Sequence, residues 1–228
     1  MMNKTINKTA LGLAAALTVA VASGCATSGA SQSMGADDMD HGSMSAASTP
    51  AADLRVTLDR LLGEHLILAT TATDAALGGR GDAFQAAAGS LGENSQDIAD
   101  AVASVYGDEA GEAFLPLWET HIGFVVDYTQ AKAAGDMAAQ DKAVNDLLGY
   151  ADNFGAFINS ANPDLPKEAV AEMVRGHVVT LKTVIDAQAE RDWHAAYAAQ
   201  REAYAHMSGM AEALAGAIAE QFPEKFRS

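Results

Sequence analysis

The sequence predicts an all-α protein, and three observations carry that expectation. Of its 228 residues 49% are hydrophobic but only 6% aromatic, an Ala-rich balance that suits helices better than a sheet sandwich. Beyond residue 50 the chain alternates long periodic runs with short Gly, Asp and Pro breaks. Those runs also recur at one fixed interval, marked by the evenly spaced His65, His121 and His177. The expected architecture is three repeated antiparallel helix hairpins of about 56 residues each. They make six helices in one helical-bundle domain over residues 53–228.

The breaks fall at Gly78-Gly79-Arg80-Gly81-Asp82, Gly107-Asp108, Gly135-Asp136, Asn162-Pro163-Asp164-Leu165-Pro166 and Arg191-Asp192. They read as helix stops followed by Asp at N-caps. Six helices follow, near 52–77, 82–105, 109–132, 136–160, 166–190 and 192–221. Pro116 interrupts the third, where it should kink the helix or mark its true start.

Residues 1–24 read as an export signal. Lys4 and Lys8 open it, and Ala10–Ala22 is an apolar and small-residue stretch too short for a comfortable membrane span. It ends in Val21-Ala22-Ser23-Gly24-Cys25. This run resembles the lipobox of bacterial lipoproteins, with Ala22 where Leu is usual. The resemblance implies cleavage before Cys25 and lipidation of that Cys, hence a membrane anchor at the cell envelope. Ala26 in place of Asp implies the outer membrane, facing the periplasm, in a host with two membranes. A conventional signal peptide with an incidental Cys is the alternative.

Cleavage there would remove two lysines and no acid, leaving 12 basic against 30 acidic residues, a net charge of −18. So negative a chain repels phosphate backbones, which argues against nucleic-acid partners. One Cys excludes a disulfide framework and a thiolate zinc ribbon. Residues 25–52 contain the lipidated Cys and then mainly Ser, Ala, Gly, Asp and Met, a composition that predicts a disordered linker. Within it Met39, His41 and Met44 are a weak metal motif, because thioether plus imidazole suits copper. An acidic linker that happens to contain Met explains the same residues.

The repeat points to the candidate site. His65, His121 and His177 are equally spaced, and Ile98, Phe154 and Met210 follow them at one constant offset. A repeat of this kind stacks units so that neighbours cover each other's apolar faces. In the third hairpin His177 and His206 lie equally far from the turn at Arg191-Asp192, and so do Met173 and Met210. Members of each pair should face each other, and residues four apart share a helix face. His177, His206, Met173 and Met210 are therefore the candidate metal ligands. Such a set favours copper, copper(I) above all; the site should weaken below about pH 6 as imidazoles protonate, and His206→Ala should abolish binding.

The corresponding places in the other hairpins hold Leu61, His65, Asn94 and Ile98, and Leu117, His121, Tyr150 and Phe154. The competing explanation is structural: Asn94 and Tyr150 would satisfy core histidines, with the methionines as adaptable core fillers. The sequence leaves the packing of the hairpins open between a linear stack and closure around an axis that would bring His65, His121 and His177 together.

The stretches Leu117-Trp118-Glu119-Thr120-His121-Ile122-Gly123-Phe124-Val125-Val126-Asp127-Tyr128 and Tyr204-Ala205-His206-Met207 resemble a group of secreted bacterial helical proteins. Some of that group carry automated copper-amine-oxidase-type names. The resemblance implies an exported helical domain; no oxidase motif stands here, so that activity does not follow.

Three functions are then expected in order. The first is a lipid-anchored envelope binding protein with copper as the favoured ligand. A structural or protein-interaction module without a ligand, meeting an envelope protein partner, is the second. The third is a non-covalent haem binder using His177 and His206, since no Cys-x-x-Cys-His is present. Catalysis is not expected: the sequence holds no Gly-x-Ser-x-Gly, no phosphate-cradling Gly loop, no His-Glu-x-x-His and no paired Glu-x-x-His.

Overall fold

The computed structural model describes residues 49–226, and every regular element among them is a helix. Six long helices run as α1 (Pro50–Leu77), α2 (Gly81–Tyr106), α3 (Asp108–Ala134), α4 (Met137–Ala161), α5 (Lys167–Glu190) and α6 (Trp193–Gln221), and a single turn, α7 (Pro223–Phe226), follows. None of them is long and apolar enough to cross a membrane. Cys25, Met39, His41 and Met44, with the expected signal peptide and most of the linker, lie outside the described residues.

Local chemistry explains the ends. The Thr49 hydroxyl accepts from the Ala52 N–H and Pro50 sits in the first turn, so α1 begins slightly before the expected position 52. Asp136 and Asp192 cap α4 and α6 through their carboxylates, as the sequence predicts. Asp82 and Asp108 do not act as caps. They lie inside the first turns of α2 and α3, whose cap positions are Arg80 and Gly107, and there they favour the positive end of the helix dipole. The stop after α3 is Gly135 in the left-handed region, φ 69°; after α5 the same conformation falls on Arg191, φ 58°.

Pro116 does not mark the start of α3, which begins at Asp108 and continues through it. Proline removes one backbone donor from the interior of a helix. The carbonyl of Glu112, one turn earlier, thereby loses its usual backbone donor, while the Thr120 hydroxyl donates to the Pro116 carbonyl itself at 2.8 Å.

The helices close into a ring. Each helix packs against the next in sequence, and α6 returns to α1; α1, α3 and α5 also touch one another across the middle. The odd-numbered helices therefore form an inner triangle, and the even-numbered ones fill the outside. Closure between α1 and α6 uses the Ser208 hydroxyl donating to Asp59 at 2.6 Å and an Arg55–Glu212 pair. It also uses a close fit in which the Tyr204 ring occupies the space that a Cβ on Gly63 would need. On the opposite hairpins, Gly155 brings α4 against α5 so tightly that a Cβ there would lie 2.5 Å from the Lys167 carbonyl oxygen.

Candidate metal centre

Because α1, α3 and α5 face one another, the residues they share at the repeat interval meet on the axis. His65, His121 and His177 are all buried, at 1%, 4% and 6% exposure. Each offers a ring nitrogen within 4.8 Å of the other two. Ring centroids lie 5.3 Å apart for His65–His121, 6.1 Å for His65–His177 and 6.5 Å for His121–His177. Of the two packings left open by the sequence, the closed one is found.

The shortest approach, between the Nε2 atoms of His65 and His121, is 3.4 Å. That is long for a good nitrogen-to-nitrogen hydrogen bond. It matches the separation of about 3.3–3.4 Å between two imidazole nitrogens that share one tetrahedral ion at 2.0–2.1 Å.

The surroundings fix the rings without satisfying them. His121 Nδ1–H donates to the Trp118 carbonyl, which leaves its Nε2 as a bare lone pair turned towards His65. Trp118 itself wedges against both rings, at 4.9 Å from His65 and 4.6 Å from His121. Tyr150 stacks on His121 at 5.0 Å and 28°. Asn94 donates to the Leu61 carbonyl at 3.0 Å and to Glu64 at 3.3 Å. Both ring nitrogens of His177, the Nδ1 of His65, the Oδ1 of Asn94, the Nε1 of Trp118 and the hydroxyl of Tyr150 are buried with no partner among the described residues. Buried polar atoms are nearly always paired, so this concentration on one point is unusual. The satisfied-core explanation required Asn94 and Tyr150 to partner the histidines. Asn94 lies beside His65 and counters part of its pKa shift but leaves its own Oδ1 unpaired, Tyr150 stacks instead of donating, and His177 has no partner among the described residues.

Burial also sets the charge state. It lowers the pKa of His177 to about 3, with help from the neighbouring His121 and His206. It lowers that of His121 to about 4, opposed by the bond to Trp118. His65 is pushed well below its ordinary value by burial and by its two histidine neighbours, with Asn94 acting in the opposite sense. All three rings are therefore neutral near pH 7, the form that binds metal.

The ligand set read from the third hairpin is placed differently. His206 is half-buried and donates from Nε2 to the Met173 backbone carbonyl at 2.7 Å. Its ring fills the space left by Gly176, where a Cβ would come within 2.6 Å of it. Met173 packs at the edge of the core. Met210 is buried, and with Met207 it lines a cavity of about 50 Å³ that also reaches His177. His177 is thus common to both candidate sets, while His206 turns its Nε2 proton to the backbone.

The repeat spacing was the signal for the three-histidine cluster. The part played by Trp118 has no comparable signal, because nothing in the sequence distinguishes it from a core aromatic. No family model matches this chain, and no curated protein or solved structure matches it.

Proposed function

We propose that this chain is an exported, lipid-anchored cell-envelope protein that binds one transition-metal ion, copper(I) by preference, through His65, His121 and His177. The observation that carries the reading is the convergence of three buried, neutral imidazoles at the centre of the ring, with unpartnered nitrogens on His65 and His177 among the described residues. The envelope address rests on the signal-like start and on Cys25.

The choice of metal follows from the donors. Imidazole suits copper, zinc, iron and nickel. No carboxylate or thiolate among the described residues joins the cluster, so the ligand set brings no negative charge to offset that of the ion. The cost of burying an ion rises steeply with its charge, and this favours the monovalent member of the series. Three nitrogens also suit the low coordination numbers of copper(I), with Met207 and Met210 as soft neighbours beside His177.

The test is an anaerobic copper(I) titration of the full chain against a competing chelator, repeated with zinc(II). One equivalent bound in wild type and none in His121→Ala is the expected result. Binding of copper(I) that survives His65→Ala and His121→Ala would remove the proposed centre.

A second reading, a surface for a protein partner, draws on α6. Trp193, Tyr197 and Tyr204 are exposed at 47%, 66% and 42% and recur at helical spacing. It requires no ligand, and absence of any bound metal would leave it in place. The haem alternative draws less support, since His206 Nε2 is engaged with the backbone and the three central rings already pack against one another.

A further inference from the structure

A second cavity, of about 320 Å³, lies between α1, α2 and α3, with His65 and His121 at its inner end and the exposed Gly79-Arg80-Gly81 turn at its mouth. Its origin is visible in the repeat. The α1 wall is made by Ala69, Ala72 and Ala76. One repeat further on, the same positions hold Val125, Tyr128 and Lys132, and two repeats on they hold Leu181, Val184 and Gln188. The first hairpin thus omits the side-chain bulk that the other two carry, and the space remains open.

The polar groups around this space are almost all engaged. The Thr73 hydroxyl donates to Gln188 and the Thr129 hydroxyl to the Val125 carbonyl. Arg80, the one charged residue of the lining, pairs with Asp74 at the surface. Gln130 is exposed at the surface, and among the buried polar groups of the lining His65 is the exception: it is 1% exposed, and its Nδ1 makes no hydrogen bond among the described residues, although Asn94 lies close enough to counter part of its pKa shift. An apolar chamber with one hydrogen-bonding group at its inner end suits a neutral molecule with an apolar body and one polar head.

We propose that this cavity is a binding site for a small, neutral, mostly apolar molecule whose single hydroxyl-type head group meets His65. A cavity of about 150 Å³ holds benzene, so this one takes a body of about ten to twelve heavy atoms. The volume lies at the lower end of ordinary ligand pockets. An anion is disfavoured because the only cation of the lining is already paired and the chain as a whole is strongly negative. The site stands whether or not the histidines hold metal, because His65 itself supplies the polar contact.

The probe is 2-naphthol, neutral and of suitable size, titrated calorimetrically into the full chain with the histidine ring signals followed by NMR. Saturable one-to-one binding is expected, with the His65 ring signals shifted. Ala69→Leu and Ala72→Val restore the bulk found in the third hairpin and should each weaken binding at least tenfold. Two substitutions are used so that one remains informative if the other fails to fold, as judged by thermal melting. Undiminished copper(I) stoichiometry in these variants would separate the cavity from the metal centre. Absence of 2-naphthol binding, binding unaffected by the folded filling variants, or binding that leaves the His65 signals unmoved would overturn the proposal.

Discussion

The Nε2 atoms of His65 and His121, which belong to different hairpins, stand 3.4 Å apart in the buried centre of the ring. Neither imidazole is charged near pH 7, and His177 closes the triangle with both of its nitrogens unpartnered. Two kinds of experiment distinguish a metal centre from a histidine core.

The first is removal of ligands. His65→Ala, His121→Ala and His177→Ala should each lower copper(I) affinity by more than about 100-fold, since even loss of an outer-shell partner typically costs 10–100-fold. His206→Ala separates the two candidate sets. It should leave one equivalent bound if the ion sits among the three repeat histidines, and abolish binding if it sits within the third hairpin. A chelator competition series over the four variants reads this directly.

The second is stability without metal. In the metal-free protein at pH 7, His177→Leu should melt no lower than wild type, because it removes two unsatisfied buried polar atoms and retains side-chain bulk. Were His177 a hydrogen-bonded core residue, the same change would cost roughly 1–3 kcal/mol. Differential scanning calorimetry distinguishes the two. Adding copper(I) to wild type at about 1,000 times its Kd should then raise stability by about 4 kcal/mol, and His177→Leu should show no such gain.

The pH dependence follows from the same burial. The folded-state pKa values of His177 and His121, about 3 and about 4, lie below the unfolded value of about 6.5. The unfolded chain therefore binds more protons than the folded one between these limits. Stability is fully present above about pH 6.5 and is lost progressively as pH falls towards 4 and 3. At pH 4.5 His177 alone accounts for a loss of about 3 kcal/mol. Metal-free wild type should show a steeper fall in Tm from pH 6.5 to 4.5 than His177→Leu; parallel curves would contradict the buried neutral state.

Trp118 supplies an optical reporter. Its ring lies against His65 and His121, whereas Trp193, the other tryptophan, is 47% exposed on α6. In a Trp193→Phe background, one equivalent of metal should change the emission of Trp118 and saturate at that point. A spectrum that does not respond to stoichiometrically bound metal would place the ion elsewhere.

Helix packing offers a test independent of any ligand. Gly155→Ala should destabilise by roughly 1–3 kcal/mol, since the new methyl meets the Lys167 carbonyl oxygen at 2.5 Å, a backbone atom that cannot swing aside. Gly89→Ala should instead stabilise by about 0.5–1 kcal/mol, because that exposed position in α2 has open space around it. Urea unfolding of both variants checks the contrast.

The sequence by itself determined the six helices nearly to the residue. Caps, stops and helical periodicity are local, and Asp136, Gly135 and Asp192 act through atoms close by along the chain. It also determined which histidines are equivalent, since the spacing of His65, His121 and His177 places them at the same level of α1, α3 and α5. Some features could be read only in part from local rules. Asp108 lies one residue and Asp82 two residues past the true caps, and Pro116 is carried inside α3 by a helix whose packing outweighs one missing donor.

Only the tertiary structure decided that the hairpins close into a ring instead of a stack. That choice depends on contacts such as Ser208 with Asp59 and Tyr204 over Gly63, which join α1 to α6. Hairpin symmetry alone pairs His177 with His206, because the two lie equally far from one turn. Closure brings two further candidates, His65 and His121, from other hairpins, while the Met173 carbonyl takes the His206 proton. The convergence of three neutral imidazoles is thus a property of the ring, and long-range packing that buries them determines both their meeting and their lack of charge.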